Sequence, residues 1–194
     1  MFTGIIEAFG EVKGLEKEGE NLHITLNSDL AFELKVDQSL AHNGVCLTVV
    51  ECNASQFTVT AIKETLDKTN LNQLKLGSKI NLERAMVAGA RFDGHMVQGH
   101  IDQVARCVAV KEESGSWRFS FAFEPKEGNV LIEKGSITVN GVSLTLVDVK
   151  SNLFSVAIIP YTYQHTNFHE IEVGSFVNLE FDMIGKYIAK LHSQ

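Results

Sequence analysis

The sequence predicts an all-β protein: two tandem six-stranded antiparallel Greek-key barrels related by internal duplication, followed by a C-terminal α-helix. Three observations lead there. The first is a repeat, because "NGVCLTVV" at 43–50 returns as "NGVSLTLV" at 140–147. Aligning 39–86 with 136–183 at a shift of 97 gives 19 identities in 48 positions, against about 3 expected from average residue usage. The second is a hydrophobic period of two within each copy. The third is the scarcity of helical pattern, which is confined to one short repeated stretch and the tail.

Upstream of the main match, "MFTGII" lies over "MVQGHI" at a shift of 95, so a two-residue insertion before Ser136 separates the registers. Two copies make a tandem duplication and not a solenoid. The bounds that follow are 1–95 and 96–183 for the barrels and 184–194 for the helix.

In chain order, Leu22, Ile24, Leu26 and Ser28 alternate with polar neighbours, and in the second copy Trp117, Phe119, Phe121 and Phe123 do the same. Each row reads as a half-buried strand whose apolar face joins a barrel core. "VCLTVVE", "FTVTAI" and "KINLERA", with their repeats "VSLTLVD", "FSVAII" and "FVNLEFD", are short β-branched runs bounded by Asn, Ser and Gly. Asn-Gly before each Val-x-Leu-Thr run marks a tight turn. "KETLDKTNL" and its repeat "PYTYQHTNF" allow a short helical turn. In the tail, Ile184, Tyr187, Ile188 and Leu191 fall on one helical face, with Asp182 or a neighbour to cap the start. The first copy has no such tail, so the stripe is expected to be buried against other subunits.

Composition narrows the function. The net charge of −7 comes with 17 scattered Lys and Arg, which argues against nucleic acid or an anionic membrane as partner. The opening is not a signal peptide, and no apolar run approaches a membrane span. Three cysteines, none in a C-x-x-C pair, fit a reduced, cytoplasmic setting. His95 with His100, or His165 with His169, lacks a third ligand nearby, so no metal is expected. Walker, dinucleotide and nucleophile-elbow motifs are absent from the sequence.

The duplicated strand carries the chemistry. Side chains two apart share a face, so Cys46 and Thr48 form one polar row, as do Ser143 and Thr145. Val45, Leu47 and Val49 take the core side. His100 stands where the first copy has Ile5, so the shared fold does not require it, and it suits proton transfer near neutrality.

"MFTGI", "NGVCLTV", "KETLDKTNL", "GHMVQGHID", "NGVSLTL" and "GSFVNLEFDMIGKYI" together resemble the riboflavin synthase family over essentially the whole chain. The resemblance implies dismutation of two molecules of 6,7-dimethyl-8-ribityllumazine by transfer of a four-carbon unit. The products are riboflavin and 5-amino-6-ribitylamino-uracil, and neither cofactor nor metal takes part. It implies a homotrimer with sites between the first barrel of one subunit and the second of a neighbour; lumazine synthase is a further candidate partner.

As the resemblance has it, Cys46, Thr48, His100, Ser143 and Asp182 are catalytic. Phe2, Thr3, Gly4, Ile5, Ile6, Ser39, Leu47, Thr60, Ala61, Ile62, Lys63, Glu64 and Thr65 bind substrate with Cys46 and Thr48. So do Gly99, Ile101, Lys134, Leu144, Thr145, Ala157, Ile158, Ile159, Pro160, Tyr161, Thr162 and Glu180 with His100 and Ser143. Val45 departs from members that carry a second Cys there. The alternative is a non-catalytic lumazine- or flavin-binding antenna protein of the same fold. Such proteins tend to lack the His after Gln-Gly and the second Ser-Leu-Thr, both present here.

Overall fold

In a computed structural model describing residues 1–192, the chain forms two closed barrels. The first contains β1 (Ala8–Glu18), β2 (Asn21–Asn27), β3 (Ser39–His42), β4 (Val45–Cys52), β5 (Gln56–Ala61) and β6 (Lys79–Arg84). The second contains β7 (Gln103–Glu113), β8 (Ser116–Ala122), β9 (Ser136–Val139), β10 (Val142–Val149), β11 (Leu153–Ile158) and β12 (Phe176–Phe181). Around the first barrel the order is β1-β2-β5-β4-β3-β6, and around the second it is β7-β8-β11-β10-β9-β12, the same Greek-key path. Closure gives every strand a neighbour on both sides.

The 95-residue shift holds through β2 and β8, and the 97-residue shift begins at β3 and β9. The two extra residues therefore lie in the β8–β9 connection. A 3-10 turn at Ala31–Glu33 occupies the corresponding connection of the first copy.

Both Asn-Gly turns have the backbone their sequence demands. Asn43 and Gly44 sit at φ 47° and 81°, and Asn140 and Gly141 at 47° and 79°. Two successive positive φ values make the hairpin turn whose twist suits the flanking strands.

The cores differ in filling. Ile24, Leu26, Leu40, Val49, Val59 and Leu82 close the first. Rings dominate the second, where Phe119 meets Phe168 edge-on at 5.0 Å. Phe119 and Phe121 are fully buried and Trp117 stacks on Tyr163 at 3.9 Å, so the aromatic row serves the core. Each fully buried Phe contributes about 1.5–3 kcal/mol.

The repeated helical stretch is α1 (Lys63–Lys68) followed by a 3-10 turn at Asn70–Gln73, and α2 (Pro160–His165) followed by one at Asn167–Glu170. The tail is α3 (Met183–His192). The expected helix reached 194, and residues 193 and 194 lie outside the described residues. Asp182 Oδ1 accepts from the Ile184 N–H at 3.0 Å and so caps it. Lys186 bonds Asp102 at 2.7 Å and ties α3 to the second barrel. Ile184, Tyr187, Ile188 and Leu191 remain 52–73% exposed within the chain. None of the helices described is long and apolar enough to cross a membrane.

The barrels meet through equivalent residues. A Cβ on Gly44 would stand 2.8 Å from the Gly141 nitrogen, and one on Gly141 would stand 2.7 Å from that of Gly44. Phe2 and Val97 exchange N–H···O bonds of 2.7 and 3.1 Å. Buried asparagines complete the seam in matching pairs. Asn81 Nδ2 donates to the Asn140 carbonyl at 3.0 Å, and Asn178 Nδ2 to that of Asn43 at 2.9 Å. The Asn70 N–H donates to Asn178 Oδ1, and the Asn167 N–H to Asn81 Oδ1, both at 2.7 Å. Removing one such partner strands the other in a buried interface at a cost of about 1–3 kcal/mol.

Candidate functional site

The alternation on β4 and β10 determines which groups leave the core. Val45, Leu47 and Val49 are buried while Cys46 is half-buried and Thr48 exposed. On β10, Val142 and Leu146 are buried, Ser143 is half-buried and Thr145 exposed. The row expected from the sequence therefore exists twice, on the outer wall of each barrel. Ser39 pairs with Thr48 on the neighbouring strand, which adds a hydroxyl to the first row.

An open notch lies beside each row. The β4–β5 ladder ends at Val49↔Val59, after which β4 runs on against β3. Thr60 and Ala61 meanwhile pair with β2 on their other side. On the second barrel β10 and β11 part after Leu146↔Val156, leaving Ala157 and Ile158 paired with β8. Ile62 and Ile159 then cap α1 and α2 and are 52% and 58% exposed. Main chain flanked by a thiol or hydroxyl row can receive the donor–acceptor edge of a flat heterocycle.

Opening segments cross between the copies. The Cys46 N–H donates to the Gly99 carbonyl at 2.9 Å, and the Ser143 N–H to the Gly4 carbonyl at 2.8 Å. Ile6 packs on the second core and Ile101 on the first. The segment holding Phe2, Thr3, Gly4 and Ile5 thus lies against Ser143, while Gly99, His100 and Ile101 lie against Cys46. A Cβ on Gly4 would approach Ser143 Cβ to 2.6 Å, and one on Gly99 would approach Cys46 Cβ to 2.7 Å. Only glycine permits these crossings. Phe2 is fully buried at the crossing beside Ala41, Val97 and Cys46.

Each crossing is held by a buried carboxylate. Glu180 accepts from the N–H groups of Gln98, Gly99 and His100 at 2.6–3.0 Å. Glu83, its equivalent, accepts from the N–H groups of Thr3 and Gly4 and from the Thr3 hydroxyl. Burial raises both pKa values, and these hydrogen bonds pull the other way. Glu180 therefore anchors the His100 segment, and the ring of His100 stays exposed.

Other expected residues lie at the rims. Lys134 is exposed in a turn at φ 64°, its N–H bonded to the Leu146 carbonyl. Lys63 and Glu64 pair with Glu20 and Lys68. Thr65 and Thr162 accept, through their carbonyls, the hydroxyls of Thr69 and Thr166. Thr60 bonds His23 at 2.9 Å. Tyr161 is 68% exposed and stacks on His165 at 4.0 Å. Leu47 is buried and Leu144 packs against the second core, so both serve the barrel side. Thr3, Ile5 and Glu83 border a cleft of about 340 Å³.

Two groups at the site stand outside the expected site residues, Glu83 and His95. Glu83 was legible as the equivalent of Glu180. His95 lies in the connection between barrels, yet its Nδ1 is 2.7 Å from Ser143 Oγ. Burial lowers its pKa, and the charge of Asp182 opposes that. Among the described residues, no group of three or more His, Cys, Asp or Glu is placed to hold a metal ion.

The lumazine binding domain family matches the chain twice, over residues 3–85 and 98–182. The riboflavin synthase of Actinobacillus pleuropneumoniae is 44% identical over 189 residues, covering 97% of this chain and 88% of that protein. That of Bacillus subtilis is 43% identical with the same coverage. Among solved structures, LumP complexed with 6,7-dimethyl-8-(1'-D-ribityl) lumazine superimposes with a TM-score of 0.83 at 25% identity. That match covers 93% of this chain and 98% of LumP. LumP complexed with riboflavin reaches a TM-score of 0.86 at 23% identity over 93% and 99% of the two chains.

Proposed function

This chain belongs to the riboflavin synthase family, and we propose that it converts two molecules of 6,7-dimethyl-8-ribityllumazine into riboflavin and 5-amino-6-ribitylamino-uracil. One observation carries the reading: two equivalent polar rows, Cys46 with Thr48 and Ser143 with Thr145, each beside an opened ladder. A reaction between two identical molecules needs two similar pockets, and unequal chemical roles need them to differ. The copies differ at Cys46/Ser143 and Ile5/His100.

In the proposed site, main chain at Ala61–Ile62 and Ile158–Ile159 pairs with the pyrimidine edge of each substrate. The row hydroxyls and the Cys46 thiol hydrogen-bond the reacting rings. His100 carries protons in the reaction, and no metal or cofactor enters. Glu83 and Glu180 hold the two crossing segments in place. The exposed stripe of α3 supports burial against other subunits, and the assembly proposed is a homotrimer in which the first barrel of one subunit faces the second of its neighbour.

Incubating the purified protein with the lumazine tests this. Equal amounts of riboflavin and the diaminouracil are expected, with flavin absorbance growing as lumazine disappears. One rival reading, a binder without turnover, would hold the lumazine unchanged.

A further inference from the structure

The connection between the barrels folds back over β10. A Cβ on Gly94 would stand 2.1 Å from the Thr3 carbonyl oxygen and 2.9 Å from Ser143 Cβ, so only glycine can pass there. One residue on, the His95 N–H donates to the same Thr3 oxygen at 3.1 Å. Its ring Nδ1 then meets Ser143 Oγ at 2.7 Å. The charged group acting on this half-buried imidazole is Asp182, at the start of α3. Glu83 stands behind Thr3, bonded to its N–H and hydroxyl. Among the described residues Cys46, the equivalent of Ser143, has no such imidazole contact.

We propose that His95 is a positioning residue whose protonation state sets the direction of the Ser143 hydroxyl, making Ser143 a proton acceptor or a donor in the second pocket. The inference rests on the reaction proposed above. With the imidazole neutral and its proton on Nε2, Nδ1 accepts from the Ser143 O–H, and the oxygen turns its lone pairs to the pocket. A proton taken from solvent onto Nδ1 reverses the bond. The N–H then donates to Oγ, and the hydroxyl turns its own hydrogen outward. Neither residue forms a bond to carbon. Burial favours the neutral ring, so Ser143 is an acceptor at neutral pH and loses that role as the medium is acidified. The duplication thus gave one pocket a titratable handle, and it came from the connection between the copies.

His95→Asn keeps a short hydrogen-bonding group beside Ser143 but removes the titration. Turnover of the lumazine is measured from about pH 5 to pH 9 for the wild type, His95→Asn, Ser143→Ala and the double variant. Wild-type kcat should fall about tenfold per pH unit on the acid side. His95→Asn should give a lower plateau and a shallower acid limb than wild type, and riboflavin binding within about twofold of wild type. The double variant should be no slower than Ser143→Ala alone, because both residues act through one hydroxyl. An unchanged acid limb in His95→Asn, or additive losses, overturns the proposal. Ser143→Ala must also show a shallower acid limb than wild type with the connection untouched, so a limb as steep as wild type there overturns the proposal even if His95→Asn does not fold. A wild type that makes no riboflavin at any pH overturns the functional reading itself, and this inference with it.

Discussion

Acid should weaken the first barrel through one residue, His42. Its ring is fully buried inside that barrel, 5.7 Å from Phe57. Nδ1 donates to the Leu40 carbonyl at 3.0 Å, and Nε2 has no hydrogen-bond partner. Burial lowers the pKa from 6.5 to about 4, against the raising effect of the Leu40 hydrogen bond. At neutral pH the ring is uncharged in both the folded and unfolded chain. Between 6.5 and about 4 the unfolded chain binds a proton that the folded one refuses, so stability falls as pH falls. The loss amounts to about 2.5 kcal/mol by pH 4.5. His42→Val removes it, and the duplication supplies evidence that valine suits the site, since Val139 is its fully buried equivalent. Near neutrality the variant should lie within about 1 kcal/mol of wild type, because losing the orphaned nitrogen offsets a smaller side chain. The assay is amide exchange followed by mass spectrometry across residues 39–42 at both pH values. Trp117 is the single tryptophan and reports on the second barrel, so its fluorescence is a poor substitute. A wild-type–variant gap that stays the same at both pH values refutes the reasoning.

Cys46→Ser should lose activity in part and Cys46→Ala more, because hydrogen bonding is the capacity the thiol shares with Ser143; steady-state turnover separates them, and a stable thioether to substrate seen by mass spectrometry would contradict it. Gly44→Ala puts a methyl 2.8 Å from the Gly141 nitrogen at a φ of +81°, so denaturant titration should show a loss of about 2–3 kcal/mol. Removing residues 184–194 should leave folded, ligand-binding monomers without turnover; sedimentation that still finds trimers, or monomers near full activity, would contradict the assembly proposed from α3.

How much of this was legible depends on sequence distance. Alternation on β4 and β10 is local, so the outward row of Cys46 and Thr48 could be read directly. The Asn-Gly turns were equally plain, but their packing against each other was not, since 97 residues separate Gly44 from Gly141. Crossing of the opening segments was hidden for the same reason: Gly4 and Ser143 share no local pattern. His95 carried no periodic signal because the residues around it belong to no strand. The aromatic row of β8 showed the opposite case, where periodicity alone identified the core.

The seam between barrels also says something about ancestry. Gly44 meets Gly141, Phe2 meets Val97, and the asparagine bonds come in exchanged pairs. That is the pattern of a twofold homodimer, in which residues on the axis contact their own copies. A single-barrel precursor pairing in this way would have had two identical pockets, and any substitution would have altered both. Fusing the genes made the partnership intramolecular, so it no longer depended on protein concentration. It also broke the tie between the pockets. A serine could then replace a cysteine on one side alone, and the tether was free to acquire a histidine of its own.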